Sequence, residues 1–225
     1  MTVITVSGCY GTGTSTAAEH IADYYESQYG ETTNVVDIRD YIKSRYEIVN
    51  KTDIANWETY REWAQTVRSK YDDGVFASRI AETWDIYHAN LVVCGLNSPK
   101  QVQNLNWYFN SAQNISMWTL PDIRYERMHG KKPNTEDKQW PLFKQRQEYE
   151  VNERNSAELL SNESYYDFIL QNNGDREILQ ARSETIVDAI VNGDKTCYLR
   201  NNPFPSQDAK IVKQYVWLES YKKHH

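Results

Sequence analysis

Cysteine is scarce in this chain: Cys9, Cys94 and Cys197 are the whole complement, with no CxxC pair and no His/Cys cluster. That pattern argues against a structural zinc site and a disulfide framework, and it fits a reducing, cytoplasmic setting. Metal spacing is equally absent among the histidines, since His20, His88 and His129 are scattered and His224 and His225 are terminal, beside Lys222 and Lys223. No apolar run approaches the ~18 residues of a membrane span, and the chain runs straight into a strand with no leader, so a membrane protein is not expected. A basic excess is missing as well: 25 Lys and Arg against 31 Asp and Glu leave a formal charge of -6 and a pI near 5.4. No global positive field advertises nucleic acid, although a local basic patch is compatible with this balance. At 225 residues the chain fits one domain, or one domain with an appendage.

What is present begins with Thr2 to Ala22. Val3-Ile4-Thr5-Val6 is a β-branched run, Gly8 to Gly13 a glycine-rich turn, and Ser15-Thr16-Ala17-Ala18 opens an amphipathic helix with Ile21 and Ala22 on its inner face. Strand, glycine-rich loop and helix N-terminus together present backbone N–H groups and a positive dipole end to a phosphate. The spacing is that of G-x-x-x-x-G-K-[ST], with Gly8, Gly13 and Ser15 in register and Thr14 where the lysine stands. Phosphate binding through the backbone does not need that lysine. The candidate cofactor-binding set is therefore Gly8, Gly11, Thr12, Gly13, Thr14, Ser15 and Thr16, with Ser15 also a magnesium ligand. The plainer alternative is a glycine-rich turn that only links strand to helix.

Further along, Asn34 to Ile38 reads as a buried strand and Arg39 to Lys43 as a helix start. From Thr52 to Trp84, apolar residues at three- and four-residue steps predict two helices broken at Asp72-Asp73-Gly74. Their Trp57, Trp63 and Trp84 are either core or a stacking surface for a base. Ala89 to Gly95 reads as an interior strand, Ser98-Pro99 as a capped helix start, Ile115 to Leu120 as a strand, and Pro121-Asp122 as the start of a helix carrying Arg124 and Arg127. A polar loop from His129 to Trp140 precedes a charged helix over Pro141 to Leu160. Asp167 to Leu170 closes the strands, Asn172 to Asp175 is a turn, and Arg176 to Val191 is a final helix. Residues from Asn192 to His225 read as an appendage with a helix over Lys210 to Tyr221, a candidate homo-oligomer contact. Alternating strands and helices predict an open, doubly wound α/β sheet with its ligand beyond the carboxyl ends of the strands.

The order of these landmarks resembles the P-loop nucleotide kinases, most of all the dephospho-CoA-kinase-like and adenylate-kinase-like branch, over Thr2 to about Val191. The resemblance implies a three-layer α/β/α P-loop NTPase fold with a five-stranded parallel sheet and a small helical lid at about 124–146. It also implies ATP and Mg2+ as cofactors and a small nucleotide-like acceptor. Under it, Arg39 after the second strand meets the acceptor's phosphate, and Cys94 to Val102 follows the skeleton of a D-G-I-R-S-P-E-E-V stretch. Arg124 and Arg127 match the lid's R-x-x-R, Lys131 and Lys132 its basic loop, Arg146 the arginine of the following helix, and Asn172 to Asp175 the turn beside the donor base. The departures fall at charged positions: Thr14 for the lysine, Cys94 for an aspartate, and Asn97 for an arginine that would grip the acceptor.

Phosphoryl transfer depends on positioning and charge stabilisation, so a lost cation needs a replacement. Arg124, Arg127, Lys131 and Lys132 are the candidates, against the reading that they are ordinary solvated charges. Asp37 is the candidate acid, orienting an acceptor hydroxyl or a metal-bound water, against the reading that it simply starts a helix. Arg39 and Asn97 are the acceptor-side candidates. Two functions remain side by side: an ATP/Mg-dependent phosphotransferase with a non-standard phosphate loop, and a kinase-derived binding protein that no longer transfers phosphate.

Overall fold

A computed structural model describes residues 1–193 except 53, 55, 56, 85–88, 111, 135 and 136. Expectations for His88, Cys197, the Trp57 side chain and the appendage beyond Gly193 lie outside these residues. Five parallel strands form one sheet: β1 (Val3–Gly8), β2 (Thr33–Asp37), β3 (Asn90–Leu96), β4 (Gln113–Trp118) and β5 (Phe168–Gln171), in the order β2-β3-β1-β4-β5. The order reverses around β1, which leaves a crevice at its carboxyl end, where the glycine-rich turn emerges.

Each interior strand feeds two cores because successive side chains face opposite ways. Ile4 and Val6 of β1, Val92 and Cys94 of β3, and Ile115 and Met117 of β4 pack with Ala17, Ala18 and Ile21 of α1 (Thr14–Tyr29) and Leu179, Ile186 and Val187 of α9 (Arg176–Val191). Val3, Leu91 and Val93 face the opposite layer. That layer draws on α2 (Ile38–Asn50), α3 (Trp57–Lys70), α4 (Val75–Trp84), α5 (Pro99–Phe109) and α8 (Ser156–Ser161). The result is the three-layer α/β/α arrangement. Trp63 and Trp84 take the core reading: both pack on this second cluster, Trp63 edge-on to Tyr46 with ring centroids 5.4 Å apart.

Two remaining helices cover the carboxyl end of the sheet. α6 (Pro121–His129) and α7 (Gln139–Glu153) share a small cluster of their own, in which Tyr125 meets Trp140 edge-on at 4.9 Å and Trp140 stacks on Phe143 at 5.5 Å. The charged helix expected over Pro141 to Leu160 is in fact two helices. Asn155 adopts the left-handed conformation at φ 53°, which ends α7 and serves as the N-cap of α8. Among the described residues no helix is long and apolar enough to cross a membrane.

Candidate active site

The glycine-rich turn is held by its carbonyls. Thr12 donates through N–H (3.1 Å) and Oγ1 (2.7 Å) to the Cys9 carbonyl. Arg124 Nη1 donates to the Tyr10 carbonyl at 3.1 Å, and Asn172 Nδ2 to the Thr12 carbonyl at 2.8 Å. With those oxygens neutralised, the field at the loop is set by the N-terminus of α1. Its ladder begins with Ala17 N–H to the Gly13 carbonyl, so the N–H groups of Thr14, Ser15 and Thr16 precede it. Gly13, the N-cap, sits at φ 90°, and a Cβ there would meet Asn172 Nδ2 at 2.8 Å, so both backbone and space require glycine. Thr14 is buried, its Cγ2 lying 3.0 Å from where a Cβ on Gly8 would sit. The side chain lies over the loop and carries no charge to it.

Beside the loop, Ser15 Oγ donates to Asp37 Oδ2 at 2.7 Å, and Arg39 Nη2 donates to Ser15 Oγ at 2.9 Å. Asp37 caps α2 by accepting from Arg39 N–H at 2.9 Å, and its carboxylate also takes the Arg39 guanidinium through Nε at 3.0 Å. Burial works to raise this carboxyl, but the hydrogen bonds and charge of Arg39, with Ser15, outweigh it and hold Asp37 below the ordinary range. Asp37 is thus a helix cap and a site-facing carboxylate at once. It is also the β-register partner of Cys94. A carboxylate therefore stands one strand over from Cys94, at the same level. Gly95 makes the approach possible: β3 bulges there at φ 76°, and a Cβ would fall 2.9 Å from Asp37 Oδ1. Burial pushes the thiols of Cys9 and Cys94 up to about 12, so neither is a nucleophile at neutral pH.

The four cations expected of a lid divide. Arg124 is completely buried against the loop, its guanidinium over the Phe143 ring at 5.7 Å and its Nε and Nη2 without hydrogen-bond partners among the described residues. Burial pushes its pKa down, opposed by Cys9 and Glu150. Arg127 donates to the carbonyls of Asn172 (2.9 Å) and Gly174, fastening α6 to the turn after β5. Lys131 pairs with Asp137 at 2.8 Å, and Lys132 is exposed. Arg146 stacks on the Tyr10 ring, and Glu150 accepts the Tyr10 N–H at 2.9 Å while burial raises its pKa. Tyr10 is thereby gripped at ring, N–H and carbonyl.

A cleft of about 560 Å³ opens from Arg39 and Gly95 toward α3 and α7. Arg61, Arg68, Arg146 and Arg154 line it, with Asn97, Tyr60 and Glu150. Asn97 Oδ1 accepts from Arg154 Nε and Nη2 at 3.3 and 3.2 Å. Arg61, Arg68, Arg154 and Glu150 were not legible as site residues. In sequence they are ordinary charges on polar helix faces, and no motif marks them.

Sheet order, glycine-rich loop and covering helices make this the fold of the P-loop kinases. Among solved structures the chain is similar to a shikimate kinase from Acinetobacter baumannii in complex with shikimate, at 12% identity and TM-score 0.51 over 86% of this chain and 94% of that one. It is similar as well to a gluconokinase from Sinorhizobium meliloti 1021, at 11% identity and TM-score 0.52 over 89% of this chain and 98% of the other. A shikimate kinase from Bacteroides thetaiotaomicron matches at 12% identity and TM-score 0.50, over 85% and 98%. No family model and no curated protein matches the chain. Likeness at these identities is one of fold.

Proposed function

We propose that the chain is an ATP/Mg-dependent phosphotransferase acting on a small, nucleotide-like acceptor. The observation that carries this reading is the Ser15–Asp37 contact at 2.7 Å, at the mouth of the phosphate loop and level with Cys94. A hydroxyl and a carboxylate converge where the usual aspartate is missing. Both are hard oxygen donors suited to magnesium, and among the described residues no cluster of three or more acids, histidines or cysteines offers an all-protein cage. Magnesium, when bound there, supplies charge neutralisation at the phosphates.

The chain's own residues carry the rest. The amides of Gly13 to Thr16 bind the β- and γ-phosphates. Asp37, kept ionised by Arg39, orients the acceptor hydroxyl and accepts its proton as the oxygen attacks. Arg124 holds a buried positive charge against the loop, in place of the lysine, while Arg127 and Asn172 frame the donor base. Lys131 is a reserve cation that has to leave Asp137 to act. Nucleoside triphosphate enters beside Asn172, and the acceptor enters through the cleft lined by Arg39 and Asn97.

Two observations favour the second reading, a kinase-derived binding protein: Arg124 is fully buried and Lys131 is paired with Asp137. A thermal-shift and turnover screen separates them, using ATP and GTP with and without magnesium against nucleosides, nucleotides, dephospho-CoA and hydroxy acids. We expect a magnesium-dependent shift with at least one triphosphate and transfer to an acceptor. A shift without transfer to any acceptor selects the binding protein, and no shift with either triphosphate removes both readings.

A further inference from the structure

One guanidinium already stands at the two oxygens that suit magnesium. Arg39 Nη2 lies 2.9 Å from Ser15 Oγ and 2.5 Å from Asp37 Oδ2, and Arg39 Nε lies 3.0 Å from Asp37 Oδ1. A fork on the carboxylate with a third bond to the hydroxyl is a strong and directional arrangement. The Arg39 side chain is 44% exposed and that of Asp37 12%, so the guanidinium covers the carboxylate on its solvent side. Gly95 admits it, since a Cβ there would fall 3.1 Å from Arg39 Nε. The oxygens themselves fit a small divalent ion. Ser15 Oγ and Asp37 Oδ2 are 2.7 Å apart, against roughly 2.9 Å between adjacent ligands of an octahedral magnesium with bonds of about 2.0–2.1 Å. The local charge opposes such an ion: Arg39 offsets the one carboxylate, and Cys94, level with Asp37 on β3, is a buried thiol that brings no charge.

We propose that Arg39 is the resident cation of the Ser15–Asp37 pair, and that a divalent metal reaches these oxygens only by displacing its guanidinium. The pair is then a gated metal site. Arg39 competes with the metal twice, by holding Oγ and Oδ2 through Nη2 and by placing a like charge within a few ångströms of the incoming ion. Free metal therefore meets a neutralised carboxylate behind a guanidinium. A triphosphate shifts that balance, because its own negative charge favours both cations and lets Arg39 leave Asp37 without losing a counter-charge. Arg39 thus keeps the pair closed to metal until nucleotide is present. This inference rests on the magnesium reading of the Ser15–Asp37 pair and not on phosphate transfer.

Titration of the full chain with Mn2+ at neutral pH, followed by electron paramagnetic resonance of the free ion, reads metal binding without turnover. It is run on the chain alone and again with a non-hydrolysable ATP analogue. Arg39→Gln should bind Mn2+ at least tenfold more tightly than the parent in both settings, a gain that loss of a purely structural ion pair would not produce. Adding Asp37→Asn to that variant should abolish the gain, which places the metal on this carboxylate. Arg39→Lys keeps the charge without the fork, so its Mn2+ affinity should fall between those of the parent and Arg39→Gln. In the parent, the analogue should tighten Mn2+ binding by a larger factor than it does in Arg39→Gln. Equal or weaker Mn2+ binding in Arg39→Gln, or a gain that survives Asp37→Asn, overturns the resident cation. A gain with Mn2+ alone, with no analogue bound by parent or variant, keeps the resident cation and removes the phosphotransferase.

Discussion

Thr14 is the residue on which the electrostatics of the loop turns. Its side chain lies buried against Gly8, so under the proposed function triphosphate binding rests on amides and on the buried charge of Arg124. Thr14→Lys adds a charge-assisted contact that typically contributes about 1.5–3 kcal/mol. Triphosphate affinity should rise roughly tenfold to a hundredfold on that basis, as measured by nucleotide titration; an unchanged affinity would show that residue 14 does not face the phosphates. Asp37 illustrates a different residue-scale lesson. The helix-cap reading holds, with Oδ1 capping α2, and the second oxygen, Oδ2, is left to meet Ser15.

Among the elements, α6 and α7 share an apolar cluster of their own and meet the rest through Tyr10, Asn172 and Gly174, with Val151 near the end of α7 in the larger core. A segment built mostly on its own cluster is expected to open at lower cost than the main core. Trp140→Ala removes the centre of that cluster, at a local cost of about 3–5 kcal/mol. Hydrogen exchange should then quicken in Pro121–His129 and Gln139–Glu153 while α1 and α9 keep their protection. A uniform increase across all helices would show that the cover does not open on its own. The break at Asn155 matters for the same unit, since it ends α7 just past Arg154 and lets the chain turn toward Asn97.

For the whole molecule, two carboxyls beside the loop, a partly buried Asp37 and a buried Glu150, predict opposite pH behaviour. Asp37 is depressed, so its stabilisation is present above the unfolded value near 3.9 and is lost as pH falls through the folded one. Glu150 is raised by burial, so its contribution is present below about 4.3 and is lost as pH rises. Asp37→Asn should therefore cost about 1–2 kcal/mol at pH 7, discounted for the exposure of Arg39, with the gap closing below about pH 4. Glu150→Gln should be at least as stable as the parent at pH 8 and lose that advantage toward pH 4. Urea unfolding across pH measures both; parallel curves for parent and variants would rule out the assignment.

The alternating pattern of strand and helix and the glycine-rich loop, with Thr14 in it, are local features, set by backbone conformation and near-neighbour periodicity, and the amino-acid sequence alone determined them. Five strands and the architecture of the sheet followed from that pattern. Tertiary structure alone decided what surrounds Cys94 and Asn97. Asp37 comes level with Cys94 because β2 and β3 pair in that register, and Arg154 reaches Asn97 because a left-handed Asn155 stops a helix beside it. Arg68 and Arg154 read as solvated charges on polar helices until packing buries them around one carboxylate. Charge compensation acts through space at a few ångströms, whatever the separation along the chain, and a motif read residue by residue sees only the loss.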